Sequence, residues 1–407
     1  MNSKKFNAAL ASMFVIASLA IYTIGCADDP SSLGLNFIPP GETTGVRIFD
    51  SFIDTLPITS ENRIYYVNTS GSTNLMVGKT GSYESKGLLK FTNLIDTFDN
   101  STVVSATLKM SYKNYYFPST MADSLAQISF DVNKIEQSLD FSTITYDSVN
   151  SSTFGTTSQG NYTGIPTADS QEVTISLNTT MVNDWLKVAA DTSYSVKNYG
   201  IVLTPNNSSA AIKGFYAAAT GVDDKDRPEL EIIVTKNGVT DTFSTISNGT
   251  ISLSKTDFAP SSETFNLQAG VSYVQVMKFD LSRMPQTATI NDVQIFFSVD
   301  SLNSVISGQT TKAIYSQYIN DSAGLKTDIT TFEGTPSGSG QYMMRMVRAG
   351  VSSPFQRWLL GQTNYGLMLF AGGQALNLDR YVLYKETASD PAKRPRVIIK
   401  YTPRVIP

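Results

Sequence analysis

Residues 88–110 read LLKFTNLIDTFDNSTVVSATLKM, a stretch that ends in alternating apolar and polar residues at Leu108-Lys109-Met110. The same alternation recurs at Val173-Thr174-Ile175-Ser176-Leu177 and at Glu231-Ile232-Ile233-Val234. Clusters of Gly, Asn, Ser and Asp separate such segments at short intervals. A period of two is typical of strands that bury one face, and frequent turn-rich spacers are typical of a β-sandwich. The chain is therefore predicted to be all-β.

The composition excludes several kinds of catalytic site. The 407 residues include one Cys and no His, so a Ser-His or Cys-His pair and an imidazole-ligated metal are impossible. Charged residues make up only 16% and the net charge is -4, which argues against a protein that follows nucleic-acid phosphates. Apolar residues make up 41%, and the length suggests about two to four domains.

A set of landmarks occurs twice in the same order. In the first copy the landmarks are Asn74-Leu75, Ser82-Tyr83, Leu88-Leu89-Lys90-Phe91, Ala106 with Leu108, Trp185-Leu186, Asn198-Tyr199-Gly200 and Arg227-Pro228; in the second they are Asn266-Leu267, Ser272-Tyr273, Val276-Met277-Lys278-Phe279, Val293 with Ile295, Trp358-Leu359, Asn364-Tyr365-Gly366 and Arg394-Pro395. Each copy has the size of a domain rather than of a solenoid repeat. We predict two tandem jelly-roll β-sandwich domains, residues 46–236 and 237–407. Two short helices, near 180–190 and 351–360, each place one Trp over a core.

The amino terminus is typical of a lipoprotein signal peptide. Lys4 and Lys5 precede an apolar run over residues 8–24, and Thr23-Ile24-Gly25-Cys26 resembles a bacterial lipobox. We expect residues 1–25 to be removed and Cys26 to carry the lipid, with no disulfide within the chain. A transmembrane helix is the alternative, because the run approaches the length that crosses a bilayer.

Residues 26–45 are predicted to be a Pro- and Gly-containing tether. Ala27-Asp28-Asp29 resembles the acidic export signal of Bacteroidota lipoproteins, and residues 30–41 are similar to the same region of a Bacteroidota lipoprotein family. This resemblance implies an outer-membrane lipoprotein at the cell surface, with the periplasmic face as the alternative.

The order of the landmarks, from Asn-Leu-x-x-Gly at residues 74–78 to Arg-Pro-x-Leu at residues 227–230, resembles the DNRLRE domain family. Members of this family are also described as disaggregatase-related or carbohydrate-binding-module-like. The first copy is similar over about residues 60–236, whereas the second, over about 245–404, has diverged. The resemblance implies jelly-roll accessory modules on surface proteins, some of which bind polysaccharides such as alginate. It implies no catalytic residues.

Three groups of tyrosines are candidate carbohydrate-binding residues, because sugar rings stack on flat aromatic faces. The candidates are Tyr65, Tyr66, Tyr115, Tyr116, Tyr315 and Tyr318. The alternative is that alternate members of each group pack in the core while the others lie at its edge.

Asp223, Asp224 and Asp226 are a candidate Ca²⁺ site, because carboxylate oxygens are the preferred ligands of that ion. No Asp-x-Asp-x-Asp-Gly loop accompanies them, and Lys225 lies among them, so a solvated turn is the alternative. No other cofactor is expected.

These observations favour a non-enzymatic envelope lipoprotein for glycan binding, adhesion or envelope assembly, with a polysaccharide or an envelope protein as partner. Two alternatives stay open. One is a carbohydrate-active hydrolase or lyase that uses two carboxylates, which would need a cleft with facing Asp or Glu side chains. The other is a structural spacer or scaffold, which would need neither a cleft nor an exposed aromatic strip.

Overall fold

The computed structural model describes residues 45–64, 66–98, 100–118, 120–306, 312–321, 327–338, 340–347 and 354–403. The strands are β1 (Arg47–Asp50), β2 (Ile58–Ile64), β3 (Asn74–Thr80), β4 (Tyr83–Lys90), β5 (Thr102–Phe117), β6 (Ile128–Lys134), β7 (Gly160–Gly164), β8 (Glu172–Ser176), β9 (Ile201–Pro205), β10 (Ile212–Tyr216), β11 (Glu229–Lys236), β12 (Val239–Ile246), β13 (Gly249–Thr256), β14 (Thr264–Gln268), β15 (Tyr273–Phe279), β16 (Thr289–Ser298), β17 (Ile314–Ile319), β18 (Thr327–Pro336), β19 (Gln341–Val347), β20 (Leu367–Ala371), β21 (Arg380–Tyr384) and β22 (Arg396–Thr402). The helices are α1 (Met121–Ser124), α2 (Thr179–Ala190) and α3 (Pro354–Leu359). The prediction of an all-β chain with two tandem sandwiches is confirmed.

The first sandwich is built from β3 to β13. Its antiparallel strands follow the order β12-β11-β5-β10-β3-β4-β9-β6-β7, with β13 paired to β4 and β8 paired to β5. The first part of β5 pairs with β11 and β8, and its last part pairs with β10, so this long strand joins the two layers. Leu108 and Leu230 lie in the core between the layers, and Trp185 on α2 is 2% exposed there.

The second sandwich is built from β14 to β22 together with β1 and β2. Its order is β1-β22-β16-β19-β18-β17-β20-β15-β14-β21, with β2 paired to β15. Phe279 and Ile295 lie in its core, and Trp358 on α3 is 7% exposed there. Both Trp residues therefore pack in cores, as the sequence predicts.

The structure confirms the duplication, because most pairings within β3–β11 recur within β14–β22: β3–β4 recurs as β14–β15, β4–β9 as β15–β20, and β6–β9 as β17–β20. The landmark asparagines make the same contact in both copies. The side-chain amide of Asn198 donates to the Phe91 carbonyl at 2.8 Å, and that of Asn364 donates to the Phe279 carbonyl at 2.9 Å. Each therefore ties a turn to the end of the equivalent Lys-Phe strand.

The division between the sandwiches differs from the predicted boundaries. Strands β1 and β2 lie within the predicted first domain but pair with β22 and β15 of the second sandwich. Strands β12 and β13 lie within the predicted second domain but pair with β11 and β4 of the first. The first sandwich is thus continuous, whereas the second takes its first two strands from the amino-terminal side of the first. Alternation shows that a segment forms a strand, but the identity of its partner depends on tertiary contacts.

One local feature of the sequence indicates that β12 continues the first sandwich. Asn237 and Gly238 connect β11 to β12 with φ of 53° and 80°. An Asn-Gly pair between two strands is a strong indication of a two-residue hairpin turn. The boundary predicted between residues 236 and 237 falls at the start of this hairpin.

The two sandwiches contact each other through the connection between β20 and β21. The Asn74 side chain donates to the Leu376 carbonyl at 2.8 Å, and the Leu378 amide donates to the Tyr115 hydroxyl at 3.0 Å. Leu378 packs with Tyr83 and Tyr115 in an apolar cluster that spans the two bodies. This buried contact connects the sandwiches directly.

In the described part of the chain, no helix combines the length and the apolar character that crossing a bilayer requires. The predicted signal peptide, Cys26 and all but the last residue of the predicted tether lie outside the described residues.

Candidate functional site

A groove lies on the outer face of the first sandwich, where the connection over residues 135–159 between β6 and β7 crosses the sheet. Leu139, Phe141 and Ile144 of this connection pack against the sheet in an apolar cluster with Leu88 and Val202. The connection therefore has a small core of its own, separate from the core between the layers.

Side-chain hydrogen bonds hold the connection in its fold. The Asn68 amide donates to the carbonyls of Phe141 and Ile144, at 3.0 and 2.6 Å. The Asp140 carboxylate accepts from the Ser142 hydroxyl at 2.7 Å and from the Ser142 amide, and these hydrogen bonds hold the pKa of Asp140 below its usual value. Local turns of this kind are the usual role of Asp and Ser in loops.

The groove combines aromatic and polar walls. Tyr146 and Phe154 of the connection line it together with Asp131 and Asn133 of β6 and Lys86 of β4, and its volume is about 530 Å³. Both aromatic side chains are partly exposed. Such a groove suits a ligand with an apolar face and a polar edge.

The charges on the sheet side of the groove form a connected group. Glu84 lies 3.6 Å from the Lys86 ammonium and 3.7 Å from the Lys255 ammonium. Burial lowers the pKa of Lys255, but Glu84 and Tyr146 outweigh that effect and hold the pKa above its ordinary value. The Lys86 ammonium also lies 5.6 Å from the centre of the Phe154 ring. The Lys86 ammonium thus lies between a carboxylate and an aromatic ring.

Among the predicted sugar-binding residues, Tyr66 lies beside this groove. Its ring centre is 6.0 Å from that of Tyr146, with 31° between the ring planes. Tyr65 lies outside the described residues.

The pair Tyr115 and Tyr116 does not form a sugar-stacking surface. Tyr115 is 6% exposed, and it lies in the contact between the two sandwiches. Tyr116 is partly exposed on the other side of β5, and the Lys213 ammonium lies 5.4 Å from its ring centre. The prediction for Tyr115 is therefore wrong, because adjacent strand residues point to opposite faces and one of these faces is covered by the second sandwich.

The pair Tyr315 and Tyr318 is also divided between two environments. Tyr318 is 5% exposed and belongs to the core of the second sandwich, so its ring is not available to a ligand. Tyr315 is partly exposed on the outer face of β17 and stacks on Phe370 with 5.9 Å between ring centres.

The structure does not gather Asp223, Asp224 and Asp226 into an ion site. No group of three potential metal ligands is found among the residues that the structure describes. Asp224 instead pairs with the Arg227 guanidinium at 2.9 Å, and the Asp226 amide donates to the Asp223 carbonyl. The solvated turn is the arrangement that these contacts support.

Sequence reasoning missed Tyr146, Phe154, Asp131 and Asn133, which line the groove. They lie on two elements that no single motif connects. One signal was present, because the first copy is longer than the second between the equivalent Lys and Arg landmarks. Insertions in one copy of a duplicated scaffold are common places for a site.

A larger cavity, about 710 Å³, lies between the β1–β2 connection and residues 386–395. Its walls include Phe52, Leu56, Pro391 and Pro395, with Glu386 and Arg394 among its few charged residues. Phe52 is the one aromatic side chain among the described residues of its lining, whereas two aromatic side chains line the groove, so we place the candidate site in the groove.

Comparisons with known proteins do not assign the chain to a family. No protein-family model matches the chain, and no curated protein matches it. Among solved structures it is similar to the VP2 subviral particle of infectious bursal disease virus, with 12% identity over 86% of this chain and 76% of that chain and a TM-score of 0.15. The Gx strain of the same virus gives 9% identity over 88% and 78%, with a TM-score of 0.12. Scores this low carry no argument about fold or function.

Proposed function

We propose that the chain is a non-enzymatic envelope lipoprotein that binds polysaccharides through the groove of its first sandwich. The observation that carries the proposal is the placement of Tyr146 and Phe154 opposite Asp131, Asn133 and Lys86 in one open groove.

The chemistry of a pyranose ring matches this lining. One face of the ring presents C–H groups, which pack on an aromatic face, and its rim presents hydroxyls, which need donors and acceptors. Asp131 accepts hydrogen bonds from hydroxyls, and Lys86 donates to them.

The proposal keeps the lipid anchor at Cys26 and an outer-membrane location. An anchor confines the groove to the membrane surface, where many copies bind one polymer and the avidity exceeds the affinity of a single groove.

The test is binding of the chain from Ala27 to Pro407 to an array of alginate, polygalacturonate, xylan and β-glucan, with release of reducing sugar followed in the same wells. We expect binding without release. Tyr146→Ala should lower the affinity by about 10-fold, which corresponds to about 1.4 kcal/mol and lies within the range for loss of one aromatic contact. Asp131→Ala changes the strand side of the groove and leaves residues 135–159 unaltered, so it tests the groove independently of Tyr146.

Tyr384→Ala is the matched control, because Tyr384 is a partly exposed tyrosine at the end of β21, outside the groove. Its affinity should equal that of the unsubstituted chain. Equal loss in Tyr384→Ala and Tyr146→Ala, or unchanged binding in both groove variants, would remove the groove as the site. Release of sugar would replace the binding protein with an enzyme.

A further inference from the structure

The strand registers identify the place on the second sandwich that is equivalent to the groove. In the first sandwich, Asp131 is paired with Thr204 across β6 and β9. In the second, Tyr315 is paired with Phe370 across β17 and β20. The equivalence follows from the landmarks, since Leu88 is paired with Val202 and its counterpart Val276 with Met368. Tyr315 and Phe370 thus stand where the groove has Asp131 and Thr204.

Tyr315 and Phe370 face outward together. Their strand neighbours Ile314 and Leu369 lie in the core, so the alternation of β-strands directs Tyr315 and Phe370 to the opposite face. Both rings are partly exposed, and 25° separates their planes. They form one aromatic surface, which we call the platform.

The Tyr315 ring of the platform packs against the backbone at Gly372, and polar side chains lie beside the platform. A Cβ added to Gly372 would come within 2.8 Å of the Tyr315 ring, so this glycine allows the ring to lie against the backbone. Gln317 is on the same face of β17 and donates to the Thr331 hydroxyl at 3.1 Å. Glu333 of β18 is paired with Tyr315 and is exposed. Fixed rings beside an amide, a hydroxyl and a carboxylate match a sugar ring better than they match a lipid or an apolar peptide.

We propose that the platform is a second carbohydrate-binding site, which holds pyranose rings mainly by stacking, so that one chain binds one polysaccharide at two places. This proposal rests on the proposed function of the groove. It adds that the duplication produced two sites of different character: a polar groove and an aromatic platform.

The test measures stoichiometry and avidity with the chain from Ala27 to Pro407. The probes are alginate, polygalacturonate and xylan, each as the polymer and as its tetrasaccharide, in isothermal titration. The unsubstituted chain should bind two tetrasaccharides, and Tyr315→Ala and Tyr146→Ala should each bind one. Tyr315→Ala should also lower the affinity for the polymer by about 10-fold or more, because two linked sites bind more tightly than one.

Two further variants distinguish the contribution of the Tyr315 ring to binding from any effect on folding. Tyr315→Phe keeps the ring and should keep both the stoichiometry and the polymer affinity. Gly372→Ala displaces the ring without removing it and should weaken the second site, with the thermal unfolding midpoint measured for every variant.

The outcomes distinguish the two proposals. If the unsubstituted chain binds one tetrasaccharide, and Tyr146→Ala abolishes that binding while Tyr315→Ala leaves it unchanged, the platform is not a site but the groove stands. If the unsubstituted chain binds none of the polymers, the proposed function fails and the second site fails with it.

Discussion

The two sandwiches share most of their strand pairings but differ on their outer faces. In the first, residues 135–159 cross the sheet, contribute Tyr146 and Phe154 and form a groove. In the second, β17 ends at Ile319, β18 begins at Thr327, and the equivalent strand positions carry Tyr315 and Phe370. The difference teaches that the duplicated scaffold is maintained by its cores and turns, while connections and outward strand positions are free to diverge.

The sandwiches also differ in how they are completed. The first receives β12 and β13 from the chain that continues directly out of β11, whereas the second receives β1 and β2 from the amino-terminal side. The second sandwich is therefore a discontinuous unit, in which β1 pairs with β22 and β2 pairs with β15.

The largest effect is expected from removing β1 and β2. A chain that begins at Tyr66 lacks Phe49 and Leu56, which lie in the core of the second sandwich. The second sandwich should lose at least about 4 kcal/mol of stability, because each large buried apolar side chain contributes about 2–5 kcal/mol. Hydrogen exchange should show loss of amide protection in β15 and β22.

The first sandwich is the internal control for this deletion, since β4 and β11 keep their partners β13 and β12 and should stay protected. A synthetic peptide of residues 45–64 should restore protection to β15 and β22. Full protection of β15 in the shortened chain would show that the amino-terminal strands do not complete the second sandwich.

A smaller effect is expected at the repeated glycines. Gly200 and Gly366 have φ of 98° and 105°, and an added Cβ would lie 2.3 Å from the Leu89 carbonyl oxygen and 2.7 Å from the Met277 carbonyl oxygen. Gly200→Ala and Gly366→Ala should each cost about 1–3 kcal/mol through backbone strain, with the larger cost at Gly200. The free energy of unfolding in urea, measured for each variant, checks that Gly200→Ala has the larger cost.

The matched control is Gly238→Ala. Gly238 also has a positive φ, but an added Cβ would meet no atom within 4 Å, so its cost isolates the strain of the dihedral angle from the close contact. Equal losses at all three glycines would show that the close approach at Gly200 and Gly366 contributes nothing.

The smallest effect is expected at an ion pair found at the β1 edge of the second sandwich. The Arg396 side chain donates to Asp50 at 3.1 Å, and this hydrogen bond lowers the pKa of the Asp50 carboxyl despite its burial. Because the folded-state pKa is below the ordinary value, the stabilisation is complete above the ordinary carboxyl pKa and is lost as the pH falls through the lowered one.

Asp50→Asn should therefore cost about 1 kcal/mol at neutral pH, a value reduced because Arg396 is partly exposed to solvent, and less in acid. The measurement is the free energy of unfolding between pH 7 and pH 3. Glu61→Gln is the control, because Glu61 pairs with Arg63 at an exposed position and should change stability little. A loss for Asp50→Asn that does not vary with pH would contradict the charge argument.

The candidate site could be foreseen only in part. Tyr66 and Tyr315 were identified from their residue type and do lie at the groove and on the platform. Tyr115 and Tyr318 have the same local sequence character but are buried, one by the second sandwich and one by its own core. Residue type and strand spacing do not distinguish these cases, because each depends on which face another part of the chain covers.

The sequence by itself determined the all-β fold and the duplication. Alternation and the turn glycines are local features, and their physical requirements are visible in short segments. Only the tertiary structure decided that β1 and β2 complete the second sandwich, that Tyr115 is buried, and that Tyr146, Asp131 and Lys86 line one groove. These outcomes depend on pairings between residues far apart in the chain, and the free energy of such a pairing depends on the burial available at each edge and face rather than on the segment that pairs.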